Sequence, residues 1–180
     1  MFAGSEWRLA AGVLYTLLLV IACITDVRWR RIPNALVIVL ALTGFAFSVG
    51  LEPLWPGLVR AFSGLVLGFS IWILFHIAGG MGAGDVKMFA AAAAWLGPGG
   101  AWRAALIAAV AGGLLSLAAL MLQRRMREGL ERVAMSVSMF SLAPLGKVAP
   151  DQQRKSYLPY GVALACGALL TAWIPGLLTN

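Results

Sequence analysis

Apolar residues run along this chain in long blocks, separated by short polar, basic or glycine-rich intervals. A helix needs about 20 mainly apolar residues to cross roughly 30 Å of hydrocarbon. Six blocks meet or approach that length: Trp7 to Thr25, Pro33 to Gly50, Leu58 to Ala78, Val86 to Leu96, Ala101 to Leu122, and Tyr160 to Leu178. The pattern predicts an all-α fold, a polytopic membrane bundle of about six transmembrane helices forming one domain over residues 1–180. Pro33 suits the first position of the second helix, where a missing N–H costs least. Gly97-Pro98-Gly99-Gly100 divides the fourth block from the fifth.

The longest interval, 123–159, has its own periodicity. Met126, Leu130, Val133, Val137 and Phe140 recur at spacings of three and four, with Arg and Glu between them. Two readings fit equally: an amphipathic helix on the membrane surface or docked on the bundle, and a plain extension of the fifth span.

Composition agrees with lipid as the second solvent. Hydrophobic residues make up 61% of the chain and charged residues 12%, whereas soluble domains carry about 25% charged residues. The net charge of +7 would suggest nucleic acid on a soluble protein. Here the basic residues sit in short segments between spans, so no nucleic-acid partner is expected. Eleven of the fourteen Lys and Arg follow the first, third and fifth blocks, against Arg8, Arg60 and Arg103 on the other side. The positive-inside rule places those loops in the cytoplasm and both termini outside. Cys23 and Cys166 lie within apolar runs without CxxC spacing and read as small buried hydrophobes. Val20-Ile21-Ala22-Cys23 resembles a lipoprotein cleavage box. The segment before it balances Arg8 with Glu6, unlike a signal peptide, so the match reads as chance.

The candidate chemistry lies in two of the three aspartates. Asp26 closes the first span, before Val27-Arg28-Trp29-Arg30-Arg31-Ile32-Pro33-Asn34. Asp85 opens the fourth, after Gly79-Gly80-Met81-Gly82-Ala83-Gly84. The orientation above puts both on one face. Asp26 could merely pair with Arg30 one turn on, and Asp85 could merely cap its helix; acids near lipid otherwise mark function. The fourth block, about 18 Å long at 1.5 Å per residue, should leave Asp85 recessed behind a glycine loop lining a watered cavity. Those glycines would permit positive φ and close approach of an extended substrate.

Two carboxylates meeting there would share one proton, leaving a general base beside a general acid. That pair suits hydrolysis of a peptide by activated water. His76, the only histidine, lies in the third span and reads as a packing residue, so no Ser–His or Cys–His alternative is at hand. No metal site is suggested, since two Asp without His or Cys bind transition metals poorly.

At these residues the chain resembles the type IV prepilin peptidases, membrane aspartic proteases of the GxGD class. Asp26-Val27-Arg28 with Arg31-Ile32-Pro33-Asn34 is similar to the first aspartate motif, and Gly82-Ala83-Gly84-Asp85-Val86-Lys87 to the second. Leu158-Pro159-Tyr160-Gly161 is similar to the segment entering the last span, with Val162 where many members carry a second proline. The resemblance implies Asp26 and Asp85 as the catalytic pair. Gly82, Gly84, Lys87, Arg31, Pro33, Asn34, Pro159, Tyr160 and Gly161 are implied as supporting motif residues, with no cofactor. Lys87 would either stabilise a charged state of the pair or only mark the inner surface.

The resemblance further implies residence in the bacterial cytoplasmic membrane. The partners expected are a prepilin with a short basic leader and an apolar helix, membrane lipid, and a pilus-assembly machinery. Larger members carry a cytoplasmic domain with paired CxxC motifs and methylate the new N-terminus. Neither appears in this sequence, so it is similar to the short forms serving Flp (tight-adherence) pili, and protease activity without methyltransferase is expected. The rival readings are a small proton-coupled transporter, an inactive assembly scaffold, and the same proteolysis on other membrane peptides.

Overall fold

The computed structural model describes residues 2, 5–77, 81–122 and 160–174. The interval 123–159, with its amphipathic pattern and with Leu158 and Pro159, lies outside the described residues, as do Gly79 and Gly80.

Five helices account for the described chain: α1 (Glu6–Trp29), α2 (Asn34–Leu51), α3 (Leu54–Ile77), α4 (Ala83–Leu122) and α5 (Tyr160–Trp173). The first four are long and apolar enough to cross a membrane, and α5 is a shorter apolar helix. Leu17, Leu42, Phe62 and Val110 each expose more than half of their surface. Apolar side chains so exposed on every side are what a lipid-facing bundle presents.

The 40 residues of α4 would extend about 60 Å as one rod, twice the hydrocarbon thickness. They do not form one rod. At Gly97 the backbone turns to φ 70°, ψ 177°, a conformation that side chains rarely tolerate, and Pro98 follows. Only the second limb can then reach Tyr160: Ser116 Oγ lies 3.1 Å from the Tyr160 hydroxyl, and Gly112 faces the same ring. Gly161, next in sequence, touches Asp85 at the start of the first limb. The two limbs therefore run antiparallel, so that among the described residues five helices give six apolar segments.

The first limb is the axis of the bundle. From Met88 through Leu96 every residue is buried. Small residues let its neighbours close on it. A Cβ on Gly64 of α3 would strike the Ala93 carbonyl oxygen, and one on Gly68 would lie 2.7 Å from Ala93 Cβ. Helices in lipid gain little from hydrophobicity and associate through such close packing. On the other flank α5 meets the second limb, where a Cβ on Gly167 would stand 2.5 Å from the Ala104 carbonyl oxygen.

Several boundaries differ from those the apolar blocks suggest. Helix α1 continues a turn beyond Thr25, to Trp29. It stops where Arg30 adopts a left-handed conformation, φ 51°, and donates its N–H to the Asp26 carbonyl at 2.8 Å. Pro33 is the N-cap of α2 and not its first helical residue. Its φ of −60° is helical but its ψ of 133° is extended, and its carbonyl accepts from Leu36 and Val37. Cys23 is half-buried, while Cys166 is exposed, so the apolar surroundings expected for it are outside the protein.

Candidate active site

Asp26 stands in the last turn of α1, and Asp85 in the first turn of α4. Both carboxylates converge on the start of α5. A Cβ built on Gly161 would lie 2.6 Å from Asp26 Oδ2 and 3.2 Å from Asp85 Oδ1. The two oxygens are thus no farther apart than those two distances laid end to end. Gly161 presents only hydrogen to them, and any other residue would collide with Asp26.

These two inner oxygens are buried and have no hydrogen-bond partner among the described residues. Buried polar atoms are normally paired, so exceptions require a reason. The Gly161 amide faces the Asp26 carboxylate and the Gly82 amide faces that of Asp85. Asp26 lacks the bland partner that local sequence offers. The described side chains show no ion pair between Asp26 and Arg30; Arg30 reaches Asp26 only through its backbone. Asp85, the third residue of α4 and 8% exposed, does face the Gly82 amide just before the helix, a capping contact, and still keeps its inner oxygen unbonded.

In front of the acids opens a cavity of about 800 Å³. Asp26, Val27, Arg30 and Arg31 line it from the end of α1, Ile32 and Asn34 from the turn into α2, and Gly82 through Asp85 with Lys87 from the start of α4. The left-handed Arg30 makes this possible by turning the chain back within four residues. Gly82 and Gly84 act differently from expectation. Gly84 is already helical, and Gly97 is the only described glycine with positive φ. Gly82 and Gly84 instead keep side chains out of the cavity mouth. A Cβ on Gly84 would meet Ile32 at 3.6 Å, an ordinary contact without a clash.

The structure thus brings together Asp26, Asp85, Gly82, Gly84, Lys87, Arg31, Asn34 and Gly161. It leaves Pro33 out of the cavity lining, as the cap that sets the turn, and Tyr160 beside it, bonded to Ser116. Pro159 lies outside the described residues. His76 is half-buried, with Nδ1 3.0 Å from the Met81 carbonyl, and so ties α3 to the segment before α4.

Comparison with known proteins bears on this arrangement of two acids at paired helix ends. Residues 13–117 match the type IV leader peptidase family. The chain belongs to that family. The matched stretch holds both Asp26 and Asp85 and ends before α5. Among curated relatives, the prepilin leader peptidase/N-methyltransferase of Aeromonas salmonicida strain A449 is 32% identical over 96 residues, covering 51% of this chain and 33% of the relative. The protein of the same name from Klebsiella pneumoniae is 32% identical over 109 residues, covering 54% and 47%. The chain thus spans between a third and a half of these type IV leader peptidases. No solved structure matches.

Proposed function

We propose that this chain is a two-aspartate endopeptidase that removes the leader of Flp-type prepilins at the cytoplasmic face of the bacterial inner membrane. The observation that carries the proposal is the convergence of Asp26 and Asp85 on Gly161, at one end of an open cavity, with two buried oxygens unpaired. Family membership supports the reaction class, and the names of the relatives supply the substrate class.

The chemistry follows from the pair. Two carboxylates this close do not both ionise, so one proton is shared between them. The ionised partner takes a proton from water, which attacks the scissile carbonyl. The protonated partner donates to the carbonyl oxygen, and the leaving amine then receives a proton as the tetrahedral intermediate collapses. Apparent titrations belong to the dyad and not to either residue.

Orientation follows from charge. Arg28, Arg30, Arg31 and Lys87 lie at the dyad end, while Arg8, Arg60 and Arg103 lie toward the Gly97 end. By the positive-inside rule the dyad faces the cytoplasm. A substrate helix lying in the bilayer beside the bundle would leave its leader at that face. The cut before the helix spares most of the cost of unwinding it. The arginines would repel a basic leader and are better matched to anionic headgroups.

Cleavage of a co-expressed Flp-type prepilin in membranes tests the proposal, comparing wild type with Asp26→Asn and Asp85→Asn. Loss of cutting in both at normal protein levels is the expected result. Normal cutting by either variant would sink the two-aspartate mechanism. Failure of the wild type to cut this substrate would sink the Flp assignment.

A further inference from the structure

The far end of the first α4 limb is built around an arginine that the peptidase chemistry does not use. Because the helix breaks at Gly97, its last carbonyls lose their helical partners. For Ala94 the partner would have been Pro98, which has no N–H. In a bilayer, carbonyls left so have no water to turn to and are costly. Each of the three is met by a side chain from a neighbouring helix. Ser48 Oγ of α2 donates to the Ala94 carbonyl at 3.1 Å. Arg60 of α3 donates through Nη2 to the carbonyls of Trp95 at 3.3 Å and Leu96 at 3.2 Å. Its Nη1 donates to Ser48 Oγ at 2.9 Å, so Ser48 passes the arginine's grip on to Ala94. Glu52 balances the charge, 3.6 Å from Nε. A Cβ on Gly97 would sit 3.0 Å from both Cγ and Nε of Arg60, so the glycine gives the arginine room to lie across the break. The Trp95 indole adds a bond to the Leu40 carbonyl at 2.8 Å.

Toward the dyad the same limb is held differently. There Phe89 and Ala90 pack on Gly68, and the Phe89 ring meets Trp72. Such apolar contacts set no hydrogen-bonded register and so no directional stop to sliding along the axis. The polar bonds at the Gly97 end supply that stop. A helix is stiff along its axis, so a shift at Trp95 reaches Asp85, about 15 Å away, undiminished.

We propose that Arg60 is a positioning residue: by clasping the carbonyl end of the first α4 limb, it sets the depth at which Asp85 meets Asp26. The proposal rests on the two-aspartate function for its catalytic consequence, but its geometric content can be tested without it.

The test uses the full chain in membranes with Cys23→Ala and Cys166→Ala. Asp26→Cys and Asp85→Cys are introduced together, and the rate at which a short thiol linker joins them is followed with Arg60, Arg60→Lys and Arg60→Gln. A second pair, Ser116→Cys with Tyr160→Cys, reports whether the second limb and α5 remain docked. Arg60→Gln should slow the first cross-link about tenfold, as expected when reacting groups are displaced by a fraction of an ångström to an ångström, and leave the second unchanged. Arg60→Lys keeps the charge but not the two-armed grip and should fall between. If Arg60→Gln also loses the second cross-link, the bundle has come apart, and Arg60→Lys decides. In the chain with both aspartates, the variant should lower kcat for prepilin by about tenfold with KM unchanged. An unchanged first cross-link in a docked bundle overturns the proposal, and so does an unchanged kcat beside a slowed cross-link. If the wild type does not cleave, the proposed function fails separately, and the cross-linking rates still decide whether Arg60 holds Asp85 in place.

Discussion

The two ends of the first α4 limb are opposites. At the Gly97 end, the polar atoms of Ser48, Arg60, Trp95 and the last carbonyls find partners, and aromatic rings of Tyr15, Phe47 and Trp95 stack around them. At the Ala83 end, the carboxylates of Asp26 and Asp85 keep buried oxygens free, glycines hold side chains away, and a cavity stands open. Both ends place polar groups where lipid surrounds the bundle. The difference lies in the bonding of the carbonyls and carboxylates themselves, the buried Tyr15 hydroxyl beside Trp95 being an unpartnered exception at the Gly97 end. Polar groups that have all their bonds hold a structure together, while those with spare bonding capacity, next to space, are available for chemistry.

The strongest way to break that contrast is to remove the spare capacity. Asn at position 26 or 85 keeps the size and loses the proton, and cleavage should fall at least about a thousandfold, within the range for loss of acid–base catalysis. Prepilin processing on immunoblots checks it. The wild type should show a bell-shaped pH profile, since the dyad must hold one proton. Activity is lost on the acid side as both carboxyls protonate and on the alkaline side as both ionise. A profile flat through both limbs would exclude a shared proton.

Filling the space should come next. Gly161→Ala puts a methyl group against Asp26 Oδ2, while alanine favours the helix there. Turnover should drop about a hundredfold, the scale of a misplacement near an ångström, with protein levels and melting temperature in detergent retained. Wild-type turnover would show that the dyad opens away from α5 during catalysis.

At the saturated end the expected effect is on stability. Ser48→Ala leaves the Ala94 carbonyl without its donor and should cost about 1–3 kcal/mol, read from unfolding in detergent or mixed micelles. No loss of stability would mean that another group reaches that carbonyl. The smallest effect is expected at His76, whose bond to Met81 is structural. His76→Gln can keep a hydrogen bond there, and cleavage rates should change less than about threefold, the scale of losing half of one neutral hydrogen bond. A drop comparable to that of the aspartates would bring the histidine into the mechanism.

Much of this was legible in the residues. Long apolar blocks and confined arginines specify membrane helices, because the cost of leaving backbone or charge in hydrocarbon dominates other terms. Two acids at paired helix ends are visible for the same reason, and Arg60 could have been singled out likewise, as a charge within an apolar span. The role of Gly161 could not. It depends on α5, which begins 75 residues beyond Asp85, packing its first turn against both carboxylates, and no local pattern records such a distant contact. The positive-φ role expected of Gly82 and Gly84 is not taken up: α4 already begins at Ala83, which makes Gly84 helical, and Gly82 before it has no positive φ.

Hydropathy, ionisable groups and Gly-Pro are local properties, so the chain's own residues dictate helices, a lipid surround, where the acids stand and where the fourth helix breaks. That the first limb of the broken helix becomes the axis of the bundle, that both carboxylates converge on Gly161, and that an arginine at the opposite end clasps the limb came from the packed fold. Those depend on which small residues let which helices touch, and close packing is a property of pairs of surfaces, never of one segment alone.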